Sequence, residues 1–143
     1  MGKKFKNLLL ILLVTLLFVS TTSVAMARAS KYIDAYDGGI KTYDNGDLKI
    51  HFTITSEGTV DKLGAKTIIL QEWNKSTKKW VEVKTYSYND YSGMILTNTQ
   101  FANFDVIYGD SESEHLYRAK IYFYAEKGGY DTREYITASV TAP

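Results

Sequence analysis

The chain's histidines and one acidic segment are its best candidates for acid–base chemistry. His51 lies between Ile50 and Phe52, and His115 ends the run Asp110-Ser111-Glu112-Ser113-Glu114. Paired catalytic carboxylates need one member with a raised pKa, and an exposed run of like charges supplies neither burial nor a partner. No Gly-x-Ser-x-Gly segment is present to support a serine nucleophile. The sequence therefore predicts no catalytic residues, and a small hydrolase is the least favoured function.

Metal and cofactor chemistry has little support in the residue types. The chain has no cysteine, which excludes thiol catalysis, iron–sulfur clusters and the usual structural zinc sites. An oxygen-rich stretch runs from Asp34 to Asp47, but its spacing does not match a calcium loop, and Asp44-Asn45-Gly46-Asp47 is typical of a tight turn. We therefore predict no metal and no cofactor, while calcium binding by residues 34–47 stays open.

Aromatic residues are the strongest indication of a binding surface. All 12 tyrosines follow Ser30. Exposed aromatic rings offer flat apolar faces with a polar edge, which suits sugar rings and protein partners alike. The alternative is that tyrosines, as good strand formers, simply fill a half-buried sheet surface. By alternation, Tyr122 and Tyr124 are predicted to point away from the core. If a binding face exists, its predicted members are Tyr122, Tyr124, Tyr86 and Trp80.

The elements that would position these residues are β-strands. Apolar and polar residues alternate from Leu48 to Thr55 and from Tyr117 to Ala125, and such alternation indicates strands with one buried face. A polar turn between Trp73 and Trp80 predicts a hairpin, and further strands are expected near residues 40, 104–108 and 133–141. About seven strands separated by turn signals predict an all-β, two-sheet β-sandwich preceded by a loose arm over residues 30–36.

The C-terminal stretch LYRAKIYFYAEKGGYDTREYITASVTA, residues 116–142, resembles the last hairpin of a fibronectin type III or immunoglobulin-like domain. The resemblance implies that Tyr117 is the corner tyrosine, Ala125 the strand-end alanine and Gly128-Gly129 the turn. It implies the fold and no ligand. Trp73 and Trp80 depart from that family, whose signature tryptophan lies on an earlier strand. With Trp-x-x-Val-Lys-Thr-Tyr at residues 80–86, the chain also resembles a family of small secreted proteins of clostridia-like Gram-positive bacteria whose function is unknown.

The first 29 residues have the order of a secretory signal peptide. Three lysines precede the apolar run Leu8–Val19, and small residues then offer cleavage after Ala27 or Ala29. The run is about 12 residues long, too short for the ~20 that cross a bilayer, so no stable membrane insertion is expected after cleavage. The sequence thus predicts a signal peptide over residues 1–29, a single β-sandwich domain over 30–143 and a secreted, extracellular protein.

Charge excludes one class of partner. Four of the 17 basic residues lie before Ser30 and all 16 acidic residues follow it, so the exported part carries a net charge of −3. Nucleic-acid binding needs a concentrated basic face and is not expected. The leading prediction is a secreted non-enzymatic binding module whose target is a cell-surface protein, a glycan or an identical copy. The alternative is a secreted effector, such as a toxin, bacteriocin-like factor or inhibitor, that acts on other cells.

Overall fold

The computed structural model describes residues 30–143, so the predicted signal peptide lies outside the described residues. This part of the chain is all-β and forms one antiparallel sheet of seven strands. The strands are β1 (Ala35–Thr42), β2 (Leu48–Asn74), β3 (Lys79–Ser87), β4 (Ile95–Tyr108), β5 (Leu116–Glu126), β6 (Tyr130–Ile136) and β7 (Val140–Thr141), with a short 3₁₀ helix, Ser92–Met94, before β4.

The 27-residue strand β2 organises the sheet because its two halves have different neighbours. Its first half, residues 48–55, lies between β1 and the second half of β4. Its second half, residues 67–74, lies between β3 and β5, and β6 adds to the far side of β5. The pairing with β4 shifts register between Thr55 and Val60, where β2 passes from one set of neighbours to the other. Such a bulge bends a strand and increases its twist.

The two halves fold over one another and enclose one hydrophobic cluster. Phe52, from the first half of β2, packs edge-on against Phe123 of β5 with ring centroids 5.5 Å apart. Strand β1 crosses β5 closely at Gly38, where an added Cβ would lie only 2.5 Å from the Ile121 side chain. The inward positions of β2 and β5 are 0–1% exposed, as period-two alternation predicts: Leu48, Ile50, Phe52, Ile54, Tyr117, Ala119, Ile121, Phe123 and Ala125.

The predicted strands are present, but three of their boundaries differ. The segments predicted near residues 48–55 and 67–73 are one continuous strand, because the chain stays extended through Ser56–Thr59. Strand β4 begins nine residues before Phe104, the first residue of its predicted segment. The last predicted strand is divided into β6 and β7, since Thr137 turns its hydroxyl to the backbone and accepts a hydrogen bond from Ala119 N at 3.0 Å.

The prediction of a loose N-terminal arm is wrong. Both Lys31 N and Tyr32 N donate hydrogen bonds to Oδ2 of Asp131, at 2.6 and 2.7 Å, and the Ser30 hydroxyl donates to the same oxygen at 2.7 Å. Ile33 then enters the core and is 5% exposed. These contacts join residues about 100 positions apart, which no local pattern in the arm indicates.

Candidate functional site

The outward face of the four strands β3, β2, β5 and β6 carries most of the residues that the sequence predicts for binding. On β5 the outward positions are Arg118, Lys120, Tyr122, Tyr124 and Glu126, because they alternate with the buried ones. Register then places Thr67 and Glu134 on either side of Tyr122. We call this surface the aromatic face and define it by Trp73, Trp80, Arg118, Lys120, Tyr122, Lys66, Tyr124 and Tyr130.

One end of the aromatic face is a tryptophan pair. Trp73 and Trp80 are directly opposite one another across the β2–β3 hairpin, with ring centroids 5.4 Å apart in an edge-to-face arrangement. The guanidinium carbon of Arg118 lies 4.3 Å from the Trp80 ring centroid. Its Nε donates to Oε1 of Gln71 at 2.9 Å. Both tryptophans are half-buried, so each keeps part of its indole surface open to a ligand.

The middle of the face combines an amine, a phenol and a carboxylate. Lys120 Nζ lies 5.6 Å from the Tyr122 ring centroid and 3.6 Å from Oε1 of Glu134. A hydrogen bond with the Tyr122 side chain and the charge of Glu134 hold the pKa of Lys120 above its usual value, against a smaller desolvation effect. Tyr122 is half-buried on this outward face, which agrees with its predicted outward orientation.

The other end is a stack centred on Tyr124, which is outward-facing but only 6% exposed. Lys66 Nζ lies 3.9 Å from its ring centroid, and Tyr130 stacks against it with centroids 6.1 Å apart. Its hydroxyl donates a short hydrogen bond to Glu126, which also pairs with Lys62 at 3.2 Å. Desolvation, followed by this bond to Glu126, raises the pKa of Tyr124 to about 12. Tyr124 was expected to be exposed, and these neighbours cover it; Tyr130, at 70% exposed, presents the accessible ring instead.

Tyr86 does not belong to the aromatic face. It was predicted as a member of the binding face, but it lies in β3 opposite Ile68, and it is 2% exposed in the core. Burial, and next the negative charge on ionised Tyr91, whose ring centroid is 5.5 Å away, raise the pKa of Tyr86 to about 12. The β-bulge between Leu70 and Gln71 adds a residue to β3. Simple alternation counted forward from Trp80 would place Tyr86 on the same outward face, and the extra residue of the bulge turns it inward instead.

The aromatic face also contains three basic residues that the sequence prediction did not include. Lys66, Arg118 and Lys120 each lie over or beside an aromatic ring, so the face combines rings with cations, alongside the carboxylates of Glu126 and Glu134. The positions of Arg118 and Lys120 on this face could have been predicted, because both alternate with the buried residues of β5 in the same way as Tyr122. The position of Lys66 could not, because the register shift between Ala65 and Thr67 interrupts the alternation around it.

A second cluster surrounds His115, at the end of the sheet beside the tryptophan hairpin. Its Nδ1 lies 2.6 Å from Oε1 of Glu72 and its Nε2 lies 3.5 Å from Oε2 of Glu112. A cavity of about 290 Å³ adjoins it, lined by Glu72, Trp73, Asn74, Lys75, Ser76 and His115. Both ring nitrogens of His115 face carboxylates, and no hydrogen bond within residues 30–143 joins the ring to a serine. The His115 ring thus contacts two carboxylates, and no nucleophile is oriented against it among residues 30–143.

The oxygen-rich segment near the N-terminus forms the expected turn. Asn45 Oδ1 accepts from Asp47 N at 3.2 Å, and Tyr43 N donates to the Asp47 carbonyl oxygen at 2.9 Å. Gly46 takes a φ of +89°, which glycine adopts without strain. Asp37 is engaged elsewhere, accepting from the Tyr135 hydroxyl at 3.0 Å. Within the described part of the chain, no three His, Asp or Glu side chains converge as metal ligands.

No protein-family model matches the chain, and no curated protein matches it. Over residues 30–143 no helix is long and apolar enough to span a membrane.

Proposed function

We propose that this protein is a secreted, non-enzymatic binding module whose ligand docks on the aromatic face. The observation that carries the proposal is the alternation of rings and cations over one outward sheet surface, from the Trp73–Trp80 pair through Lys120 and Tyr122 to Tyr130. Rings stack on sugar or aliphatic surfaces, and neighbouring cations add attraction for acidic groups. The proposed ligand is a glycan or a surface protein with exposed acidic groups.

An immunoglobulin-like or fibronectin type III-like sandwich is the fold we propose for the module. Two features support it. The strands β1, β2 and β4 pack as one layer over β5 and β6, through Phe52 and Phe123. The Tyr117 hydroxyl accepts a hydrogen bond from Glu112 N at 2.9 Å, five residues upstream, as a corner tyrosine does in that fold. Export through the predicted signal peptide would present such a module outside the cell.

Binding to intact cells, isolated cell wall and a polysaccharide panel tests the proposal. The purified protein is compared with a Tyr122→Ala/Tyr130→Ala variant, because both rings are accessible on the aromatic face and Tyr124 is too deeply covered to remove safely. The expected result is saturable binding that weakens by about tenfold or more in the variant, as for loss of aromatic contact residues.

The matched control is Tyr43→Ala, which removes an equally large ring, 45% exposed, from the β1–β2 turn away from this face. Its binding should equal that of the wild type, and circular dichroism should show that all three proteins are folded. Saturable binding that survives in the double variant would refute the aromatic face as the site. Failure to bind any of these targets would refute the surface-ligand proposal, and activity against competing cells would then be tested for the alternative, a secreted effector.

A further inference from the structure

Strand β4 has one edge that no other strand covers. It pairs with β2 along one side, and within residues 30–143 no backbone hydrogen bond reaches its other side. Over the half that pairs with the start of β2, residues 101–108, Phe101 is 50% exposed and Ile107 is 54% exposed. An uncovered edge presents N–H and C=O groups to a further strand. At Phe101 the Thr99 hydroxyl bonds both groups, the N–H at 3.2 Å and the C=O at 2.8 Å, so pairing at that position requires Thr99 to release them.

This edge is nearly free of charge. Asp105 is the only charged residue among the 14 of β4, and its carboxylate is paired with Lys49 Nζ at 3.1 Å. Charged residues are the usual protection of an edge against pairing with another chain. The three longer of the other edge strands carry such charges, whereas β7 is an uncharged strand of two residues. The charged residues are Asp37 and Lys41 on β1; Lys79, Glu82 and Lys84 on β3; Asp131, Arg133 and Glu134 on β6.

We propose that β4 pairs antiparallel with β4 of a second copy of this chain, about a two-fold axis through Phe104. In this register Phe101 of one copy lies opposite Ile107 of the other, so the two most exposed apolar side chains of the strand cover each other. Asn103 lies opposite Asp105, and an amide there can donate to the carboxylate. Directly opposite side chains on an antiparallel pair are ~4.5–5.5 Å apart between Cβ atoms, close enough for both contacts.

The neighbouring registers of the β4–β4 pair are less favourable. Opposite residues must point to the same face of the sheet, so the two-fold axis moves in whole-residue steps along the strand. An axis through Asp105 places two carboxylates against each other. An axis through Asn103 places Asp105 opposite Phe101 and leaves Ile107 opposite Thr99. Only the axis through Phe104 matches apolar with apolar and carboxylate with amide.

A second copy of this chain is the partner that fits this edge, because the segment Phe101–Ile107 is self-complementary. One strand supplies both apolar side chains, the amide and the carboxylate that the register pairs. The pairing is isologous, so it closes as a dimer and does not propagate. The two three-stranded layers β1–β2–β4 would join into one six-stranded layer. The aromatic face lies on the second half of β2 with β3, β5 and β6, away from the free edge of β4. The dimer therefore does not depend on the proposed function and would present two such faces.

Sedimentation equilibrium of the purified protein tests the dimer. The wild type should sediment as a monomer–dimer equilibrium without larger species. Ile107→Asp should raise the dimer dissociation constant by about tenfold or more, since it places a carboxylate against Phe101. Ile136→Asp is the matched control: Ile136 is 43% exposed on the edge strand β6, and its substitution should leave the dissociation constant unchanged.

Engineered cysteines test the register independently of any loss of folding. Because the chain has no cysteine, each introduced thiol reports one position. A mixture of the Phe101→Cys and Ile107→Cys single variants should form a disulfide-linked heterodimer on mild oxidation. Either variant alone should not, because identical positions would lie about 20 Å apart, at ~3.3 Å per residue.

Three results would overturn the proposal. The first is a wild-type protein that stays monomeric up to its solubility limit. The second is a dimer that Ile107→Asp and Ile136→Asp weaken equally or not at all. The third is crosslinking in which single variants alone react as well as the mixture.

Discussion

The guanidinium group of Arg118 lies over the Trp80 ring, with Cζ 4.3 Å from the ring centroid, while its Nε donates to the Gln71 side chain. Gln71 is 7% exposed, so its side-chain amide needs a hydrogen-bond partner, and Arg118 is that partner. The same Arg118 side chain is also the cation above Trp80. Because Gln71 is directly opposite Arg118, one side chain both covers a polar group of the outward sheet surface and stacks on a ring of the aromatic face.

Arg118→Met should lower the free energy of unfolding by about 2 kcal/mol, the combined effect of an unsatisfied buried acceptor and a lost cation–π contact. Urea denaturation followed by tryptophan fluorescence measures the change. Adding Gln71→Leu to the Arg118→Met variant should restore most of the loss, because removing both polar partners leaves no unpaired group. A double variant as unstable as the sum of the two single variants would contradict this account.

Asp131→Asn should detach the N-terminal arm and change the stability of the protein in acid. Desolvation alone would raise the pKa of Asp131, but the hydrogen bonds from Ser30, Tyr32 and Lys31 outweigh it and hold the pKa below its usual value. Because the folded-state pKa is the lower one, the carboxylate stabilises the fold above the unfolded-state pKa of about 4 and loses that contribution as the pH falls.

Urea unfolding between pH 7 and pH 2 measures this contribution. The difference in unfolding free energy between wild type and Asp131→Asn should be constant near neutral pH and should shrink below about pH 4. Asp44→Asn, in the exposed β1–β2 turn, is the matched control and should show a much smaller difference. An Asp131→Asn difference that is independent of pH would rule out the carboxylate as its source.

Gly64→Ala should be among the most destabilising single changes in the protein. Gly64 lies where β2 is paired with both β4 and β5, and it has a φ of +155°. A Cβ built there would lie 1.9 Å from the carbonyl oxygen of Met94, so the backbone would have to move. We expect a loss of about 4 kcal/mol or failure to fold.

Gly58→Ala is the control for Gly64→Ala, since an added Cβ at Gly58 meets nothing within 4 Å. Its unfolding free energy should stay within about 0.5 kcal/mol of the wild type. Equal stability of the Gly64→Ala and Gly58→Ala variants would show that the close approach of Met94 to Gly64 is relieved at little cost.

Local sequence patterns predicted the strands well because each depends on alternation within one segment. The buried positions of β5 follow directly from Tyr117 to Ala125, and the β2–β3 hairpin follows from its polar turn. The continuity of β2 was not predictable, since Ser56, Glu57, Gly58 and Thr59 have the composition of a turn. The chain passes through them because long-range pairing with β4 resumes at Val60.

The candidate site was predictable only in part for the same reason. Alternation gave the outward direction of Tyr122 and Tyr124, but exposure depends on neighbours from other strands. Lys66 and Tyr130 cover Tyr124. Neither residue belongs to the alternating segment 117–125, from which the orientation of Tyr124 was predicted. The anchoring of Lys31 by Asp131 joins the two ends of the described chain, and only the folded sheet brings them together.

Tyr86→Phe should make the protein less sensitive to alkali. Burial raises the folded-state pKa of Tyr86 to about 12, above the usual value of 10 for tyrosine. The neutral phenol therefore stabilises the fold fully below pH 10, and this contribution is lost as the pH rises through 12. At 1.36 kcal/mol per pKa unit, the contribution is about 3 kcal/mol. Phenylalanine does not ionise, so the unfolding free energy of the variant should fall less steeply from pH 9 to pH 12. Tyr43→Phe, at a ring that is 45% exposed, should keep the wild-type slope, and a Tyr86→Phe slope equal to it would show that the Tyr86 hydroxyl reaches solvent when it ionises.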